Sequence, residues 1–174
     1  MAPSATTHVR DPLPSHIQQE QQQQREQPPQ PINDKLPDLA SLGDHIEETT
    51  FEQILEMDDD DPLREFSRGL VFGFFDQAET TFVKMERAIE TQDLNEITKL
   101  GHFLKGSSAT LGLTKVKEAC EKIQNFGAGK DESGTVNEPN TAISLANIKK
   151  TLNETKGDYN DAVVRLKRFY GEKV

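Results

Sequence analysis

Apolar residues that recur three and four places apart limit this chain more than any other feature. That spacing paints one stripe along an α-helix and suits no other regular element. The longest run is Leu145, Ile148, Leu152, Thr155, Tyr159, Ala162, Leu166 and Phe169, an alternation that suits the seam of a bundle. Val71, Phe75, Ala78, Phe82, Met85 and Ile89 make a second stripe. Ile97, Leu100, Leu104, Ser108 and Leu111 make a third, and Val116, Ala119, Cys120, Ile123 and Phe126 a fourth. No segment shows convincing two-residue alternation, the mark of a half-buried strand. The expected fold is all-α, an antiparallel four-helix bundle.

Start and stop signals divide the chain. Asp44 with Glu47 three residues later is the pattern for capping a short accessory helix that carries Phe51, Ile54 and Leu55 and ends near Met57. Asp61 followed by Pro62 marks a second start, with a helix running to about Glu90. Asp93 and Glu96 form another capping box, opening a helix that stops near Leu111-Gly112. Thr114 is the expected cap of the next helix, which Gly127 and Gly129 end; Gly134, Asn137 and Pro139 mark a loop before the last helix. Residues 1–43 hold seven of the nine prolines and a glutamine-rich run from Gln18 to Gln30. Such a segment cannot bury enough surface to offset its chain entropy, so a disordered N-terminal tail (1–43) preceding a folded domain (44–174) is expected.

The formal charge of −10 argues against nucleic acid or an anionic membrane as the main partner. Cys120 is the only cysteine, which excludes an internal disulfide, and its place in the apolar register makes it a small buried hydrophobe. No signal peptide or membrane-length apolar run is evident, so the expected location is cytoplasmic, with the nucleus open by diffusion.

One histidine stands apart. His102 is two residues from Leu104, about 200° round the helix, and so points away from the apolar stripe. Lys105 and Gly106 follow at three and four places, on the same face as His102. The lysine sets an ammonium beside the imidazole, and the glycine removes the side chain that would crowd it. A solvated surface histidine is the ordinary reading; an exposed imidazole with a cation and a cleared approach also suits a phosphate carrier.

The segment Gly101-His102-Phe103-Leu104-Lys105-Gly106-Ser107-Ser108-Ala109-Thr110-Leu111-Gly112, continuing through Cys120-Glu121-Lys122-Ile123-Gln124-Asn125, resembles the histidine-containing phosphotransfer (HPt) proteins. Within them it is similar to the fungal intermediates of osmosensing phosphorelays. The block Glu56-Met57-Asp58-Asp59-Asp60-Asp61, with Phe66-Ser67-Arg68-Gly69-Leu70 and Phe75-Asp76-Gln77-Ala78, resembles the same family. The resemblance implies that His102 carries the phosphoryl group, that Lys105 offsets its charge, that Gly106 keeps the approach open, and that Gln124 orients the ring. It further implies a docking surface on the first two helices and the histidine helix, with Ile54, Met57, Phe66, Leu70, Gly73, Gln77 and Ser107 as candidates. The partners it implies are receiver domains of a hybrid sensor histidine kinase and of response regulators, with Mg²⁺ arriving on the receiver domain and this chain a monomer without a cofactor.

Other chemistries lack their residues. No Gly-rich phosphate loop ending in Gly-Lys-Ser/Thr is present, so kinase machinery is not expected. The aspartate run 58–61 lacks the alternating ligands and glycine of a calcium loop, and no Glu-x-x-His pairs suggest a di-metal bundle. No metal site is expected. The rival reading is a catalytically silent helical adaptor that binds partners through the same apolar patch.

Overall fold

A computed structural model describes residues 39–174, Asp60 excepted. The tail expected over 1–43 lies almost wholly outside the described residues. A 3₁₀ turn (Leu39–His45) leads to α1 (Glu48–Leu55) and a further 3₁₀ turn (Glu56–Asp58). Then come α2 (Glu65–Glu90), α3 (Leu94–Thr110), α4 (Thr114–Gly127) and α5 (Thr141–Phe169). Helix α2 packs on α3, α3 on α4, α4 on α5 and α5 back on α2, which closes the four-helix bundle. No strand occurs among the described residues; one isolated antiparallel bridge, Lys130 with Asn137, shapes the loop before α5.

The stripes read from the sequence are the core. Val71, Phe75, Ala78, Phe82 and Met85 of α2 face Ile148, Leu152, Tyr159, Ala162 and Leu166 of α5, and all are buried. Tyr159 stands among Phe74, Phe75 and Phe82, its hydroxyl donating to the Phe75 carbonyl at 3.2 Å. Burial pushes that phenol well above the usual tyrosine range. Thr155 and Ser108 fit the apolar stripes because each hydroxyl donates to the carbonyl four residues back, at 2.6 and 2.7 Å.

Several boundaries differ from expectation, each for a local reason. The accessory helix begins at Glu48, not at Asp44: residues 39–45 form the 3₁₀ turn, and Glu47 spends its carboxylate on the Thr50 hydroxyl at 2.6 Å. Packing also starts before Asp44. Leu42 is only 1% exposed and joins Ile46 and Phe51 over the end of α5, where the Phe51 and Phe169 rings meet at 5.5 Å. Helix α2 starts at Glu65, not at Pro62, because the Asp61 carboxylate accepts from the Leu63 and Glu65 amides and holds 61–64 as a turn. Thr114 is the first residue of α4 rather than its cap, and its hydroxyl donates to the Asp44 carbonyl. Asp93 does cap α3, accepting from the Glu96 amide at 2.9 Å.

The α3–α4 turn needs its glycine. Gly112 has φ +71°, and a Cβ there would meet the Glu47 carbonyl oxygen at 2.9 Å. The Glu47 amide donates to the Gly112 carbonyl at 2.8 Å, so the start of α1 straps this turn.

Candidate functional site

His102 lies on the solvent side of α3 and is exposed, as the helical spacing requires. Gly106, one turn on, is exposed too, with no atom within 4 Å of where a Cβ would stand. The approach to the imidazole along its own helix is therefore open. Lys105 is half-buried, its ammonium 3.4 Å from the Glu121 carboxylate on α4. The expected cation is present on the expected helix face, already engaged by a surface carboxylate that holds it weakly.

Gln124 stands on α4 beside the histidine. A Cβ placed on Gly101 would lie 3.1 Å from the Gln124 amide nitrogen and 3.1 Å from the Cys120 carbonyl oxygen. Glycine at the residue before His102 thus lets the two helix backbones touch. The expected bond from the Gln124 amide oxygen to the ring is not made. Gln124 Oε1 is buried without a hydrogen-bond partner, an acceptor stripped of water and still open to a donor.

Sequence reasoning missed this close approach. Gly127 repeats it one helix end away, where a Cβ would sit 2.5 Å from the Thr98 hydroxyl oxygen and 3.1 Å from the Leu94 carbonyl oxygen. The signal was available: glycine inside a helix costs stability unless a backbone needs the space. Cys120 is fully buried at the same seam, and burial raises its thiol pKa to about 12. That thiol stays protonated and unreactive at neutral pH.

The docking candidates divide. Met57 is 59% exposed and Phe66 46%, Gly73 and Gln77 are exposed, and Leu70 is half-buried. Ile54 is a correction: it is only 6% exposed and belongs to the core beneath α1 rather than to a surface. Phe74, outside the α2 stripe read from the sequence, is buried as well, against Tyr159. Ser107 is partly covered, its hydroxyl donating to the Phe103 carbonyl at 3.3 Å. Phe103, which the sequence reading passed over, is 45% exposed, and Leu63 is 69% exposed. Phe103 lies one turn from Gly106 and Ser107, so an apolar ring flanks the open approach to His102. Its signal was an aromatic residue outside the apolar stripe.

Asp58 and Asp61 act as helix-start ligands. Asp58 is buried and accepts from the Ser67 amide at 2.8 Å, while Asp61 is held below the usual carboxylate range by the amides of Glu65 and Leu63. No cluster of three metal-ligating side chains occurs among the described residues.

The sequence matches the Hpt domain over residues 70–157, just over half of the chain and inclusive of the helices that carry His102 and Gln124. The chain belongs to the HPt family. Among its HPt relatives, Multistep phosphorelay regulator 1 of Schizosaccharomyces pombe is 46% identical over 139 residues, covering 80% of this chain and 46% of that protein. Phosphorelay intermediate protein YPD1 of Saccharomyces cerevisiae is 41% identical over 119 residues, covering 68% of this chain and 69% of YPD1. The chain thus spans about half the length of the S. pombe relative and about two-thirds of YPD1. Among solved HPt structures, S. cerevisiae Ypd1 in complex with the receiver domain of its downstream response regulator Ssk1 superposes with a TM-score of 0.67 at 33% identity, over 80% of this chain and 100% of that one.

Proposed function

We propose that this HPt protein is a phosphorelay intermediate. It takes a phosphoryl group from a receiver-domain aspartate of a hybrid sensor histidine kinase onto His102 and passes it to the aspartate of a response regulator. The observation that carries this reading is the open face of α3: an exposed imidazole, a lysine three residues on, and a glycine with empty space above it. The relatives named as phosphorelay proteins, and the Ypd1 complex with a receiver domain, support it.

The transfer balances simply. The lone-pair nitrogen of neutral His102 attacks phosphorus, a P–N bond forms, and the P–O bond to the aspartate breaks to release a carboxylate. The other ring nitrogen keeps its proton. Gln124 Oε1, buried and unpartnered on the adjoining helix α4, is the acceptor assigned to that N–H. An amide orients the ring without acting as a general base, so the phosphoramidate is not opened to water. Lys105 exchanges its exposed Glu121 partner for the phosphoryl oxygens, a charge-assisted contact. Reversal of the same steps on a second receiver returns the group to an aspartate.

The protein acts as a carrier and not as a kinase, for its sequence has no Gly-rich phosphate loop ending in Gly-Lys-Ser/Thr. Mg²⁺ comes with the receiver domain. The reading places the chain as a monomer in cytoplasm and nucleus.

The deciding experiment mixes the full chain with a receiver domain loaded by acetyl phosphate. The expected result is acid-labile, base-stable phosphate on the wild type and none on His102→Gln. Complex formation without such label would establish the silent adaptor instead.

A further inference from the structure

The first turn of α2 is held differently from those of α3 and α5. Those helices have side-chain caps, Asp93 accepting from Glu96 and Asn140 accepting from Ala142 and Ile143. Helix α2 instead follows Arg64, a left-handed residue at φ 51° that offers no cap. Two of its free amides are satisfied from outside the helix. Glu65 donates to Asp61 at 2.9 Å, and Ser67 donates to buried Asp58 at 2.8 Å. The second oxygen of Asp58 is buried without a partner, so Asp58 grips the turn by one bond.

A second grip comes from the other end of the chain. The Tyr170 hydroxyl donates to Ser67 Oγ at 2.8 Å across 103 positions of sequence. Arg68 forms an ion pair with Glu172. The Arg64 guanidinium lies 5.2 Å over the Phe169 ring, and the Phe72 and Tyr170 rings meet at 6.2 Å. Burial keeps the Tyr170 phenol above the usual tyrosine range, so it remains a donor at neutral pH. The outward face of this turn carries exposed Phe66, with half-buried Leu70 one turn on. Asp58, Ser67, Arg68, Tyr170 and Glu172 all fall outside residues 70–157, the stretch matched to the family.

We propose that Tyr170 and Glu172 are positioning residues for receiver docking: Tyr170 bonding buried Ser67 and Glu172 pairing with Arg68 at the surface, they hold the first turn of α2 so that Phe66 and Leu70 present one fixed surface. The proposal rests on the phosphorelay reading above. A helix start without its own cap frays, and a partner that docks on a frayed turn must order it at the moment of binding. The grip therefore acts on affinity for the receiver domain. Chemistry at His102 stands on α3 and is left alone.

The test measures single-turnover transfer from an acetyl-phosphate-loaded receiver domain to the full chain, over a range of receiver concentrations. Tyr170→Phe keeps the ring contacts and removes the hydroxyl, and Glu172→Gln removes the charge; the two are combined. Loss of two such contacts should raise the half-saturating receiver concentration about three- to tenfold or more. The maximal rate should stay within about twofold, since binding alone is weakened. Amide exchange at Phe66 to Arg68 should quicken while exchange in α3 does not. An unchanged half-saturating concentration overturns the proposal, as does a loss confined to the maximal rate. Phosphoramidate, which phosphorylates histidine without docking, separates the two readings. Wild type that labels with phosphoramidate but not with the receiver domain defeats the phosphorelay reading itself, whereas a wild type active with both and matched by the double variant defeats only the positioning role.

Discussion

Replacing Gly106 by leucine should strengthen the fold and damage the function, and the structure fixes both signs. Gly106 sits inside α3 with ordinary helical backbone, and nothing lies within 4 Å of its missing Cβ. A side chain there meets no neighbour, so the change is one of helix propensity, worth about 0.5–1 kcal/mol in favour of leucine. For a domain of this size that raises the melting midpoint by roughly 2–4 °C. The same side chain would stand one turn from His102, over the exposed imidazole, where an incoming receiver domain must bring an aspartyl phosphate to near contact. Even a 1 Å misplacement of reacting groups can cost about a hundredfold in rate. Thermal melting by circular dichroism and rapid-quench transfer from one receiver domain measure the two effects on the same preparation. A variant that is more stable and transfers at the wild-type rate would refute the reasoning, and would leave the glycine without a role in access.

Other glycines should behave oppositely. Gly101→Ala forces a Cβ to 3.1 Å from two backbone atoms of α4, so it should lower the melting midpoint, by an overpacking cost of about 1–3 kcal/mol, and also slow transfer. Lys105→Ala should slow transfer mildly with almost no change in stability, because its Glu121 partner is exposed. His102→Gln should abolish acceptance of phosphate with an unchanged melting midpoint, while substitutions at His8, His16 or His45 leave transfer intact in the same assay. Removing residues 1–38 should leave a folded, transfer-competent domain; removing 1–47 should cost at least about 2–5 kcal/mol, since Leu42 leaves the core, and denaturant titration distinguishes the two. Cys120, buried with its thiol raised to about 12, should resist a thiol reagent at pH 8 until the chain is unfolded.

The bundle was legible because a stripe at three-four spacing has one solution, and all four stripes lie in the core. What escaped the pattern were choices between competing local partners. Asp44 and Thr114 carry good capping chemistry, yet the 3₁₀ turn at 39–45 and the Thr114 contact with Asp44 took those groups elsewhere. Pro62 reads as a first helical residue, but the two amides held by Asp61 delay the helix to Glu65. Ile54 looks like spare apolar surface on a wheel and is buried, and Phe74, beyond the main stripe of α2, packs against Tyr159 of α5; both depend on contacts between elements that a single helix pattern does not show. At the site, the positions of His102, Lys105 and Gly106 on one face followed from helical repeat alone. The closeness of α4 did not, since it depends on Gly101 and Gly127 meeting backbone atoms of the opposite helix.

The short turn at Gly112 also sets an order of assembly. Helices α3 and α4 are joined by three residues, Leu111 to Leu113, and their seam is closed by contacts between near neighbours in sequence. Contacts that close small loops form earliest, since little chain entropy is lost in making them. This hairpin already contains His102, Lys105, Gly106 and Gln124. The grip of Tyr170 on Ser67 closes a loop of 103 positions. On refolding, the α3–α4 hairpin is therefore expected to form ahead of the contact between Tyr170 and Ser67. Pulse-labelled exchange during refolding should show amides of α3 and α4 protected ahead of Phe66 to Arg68.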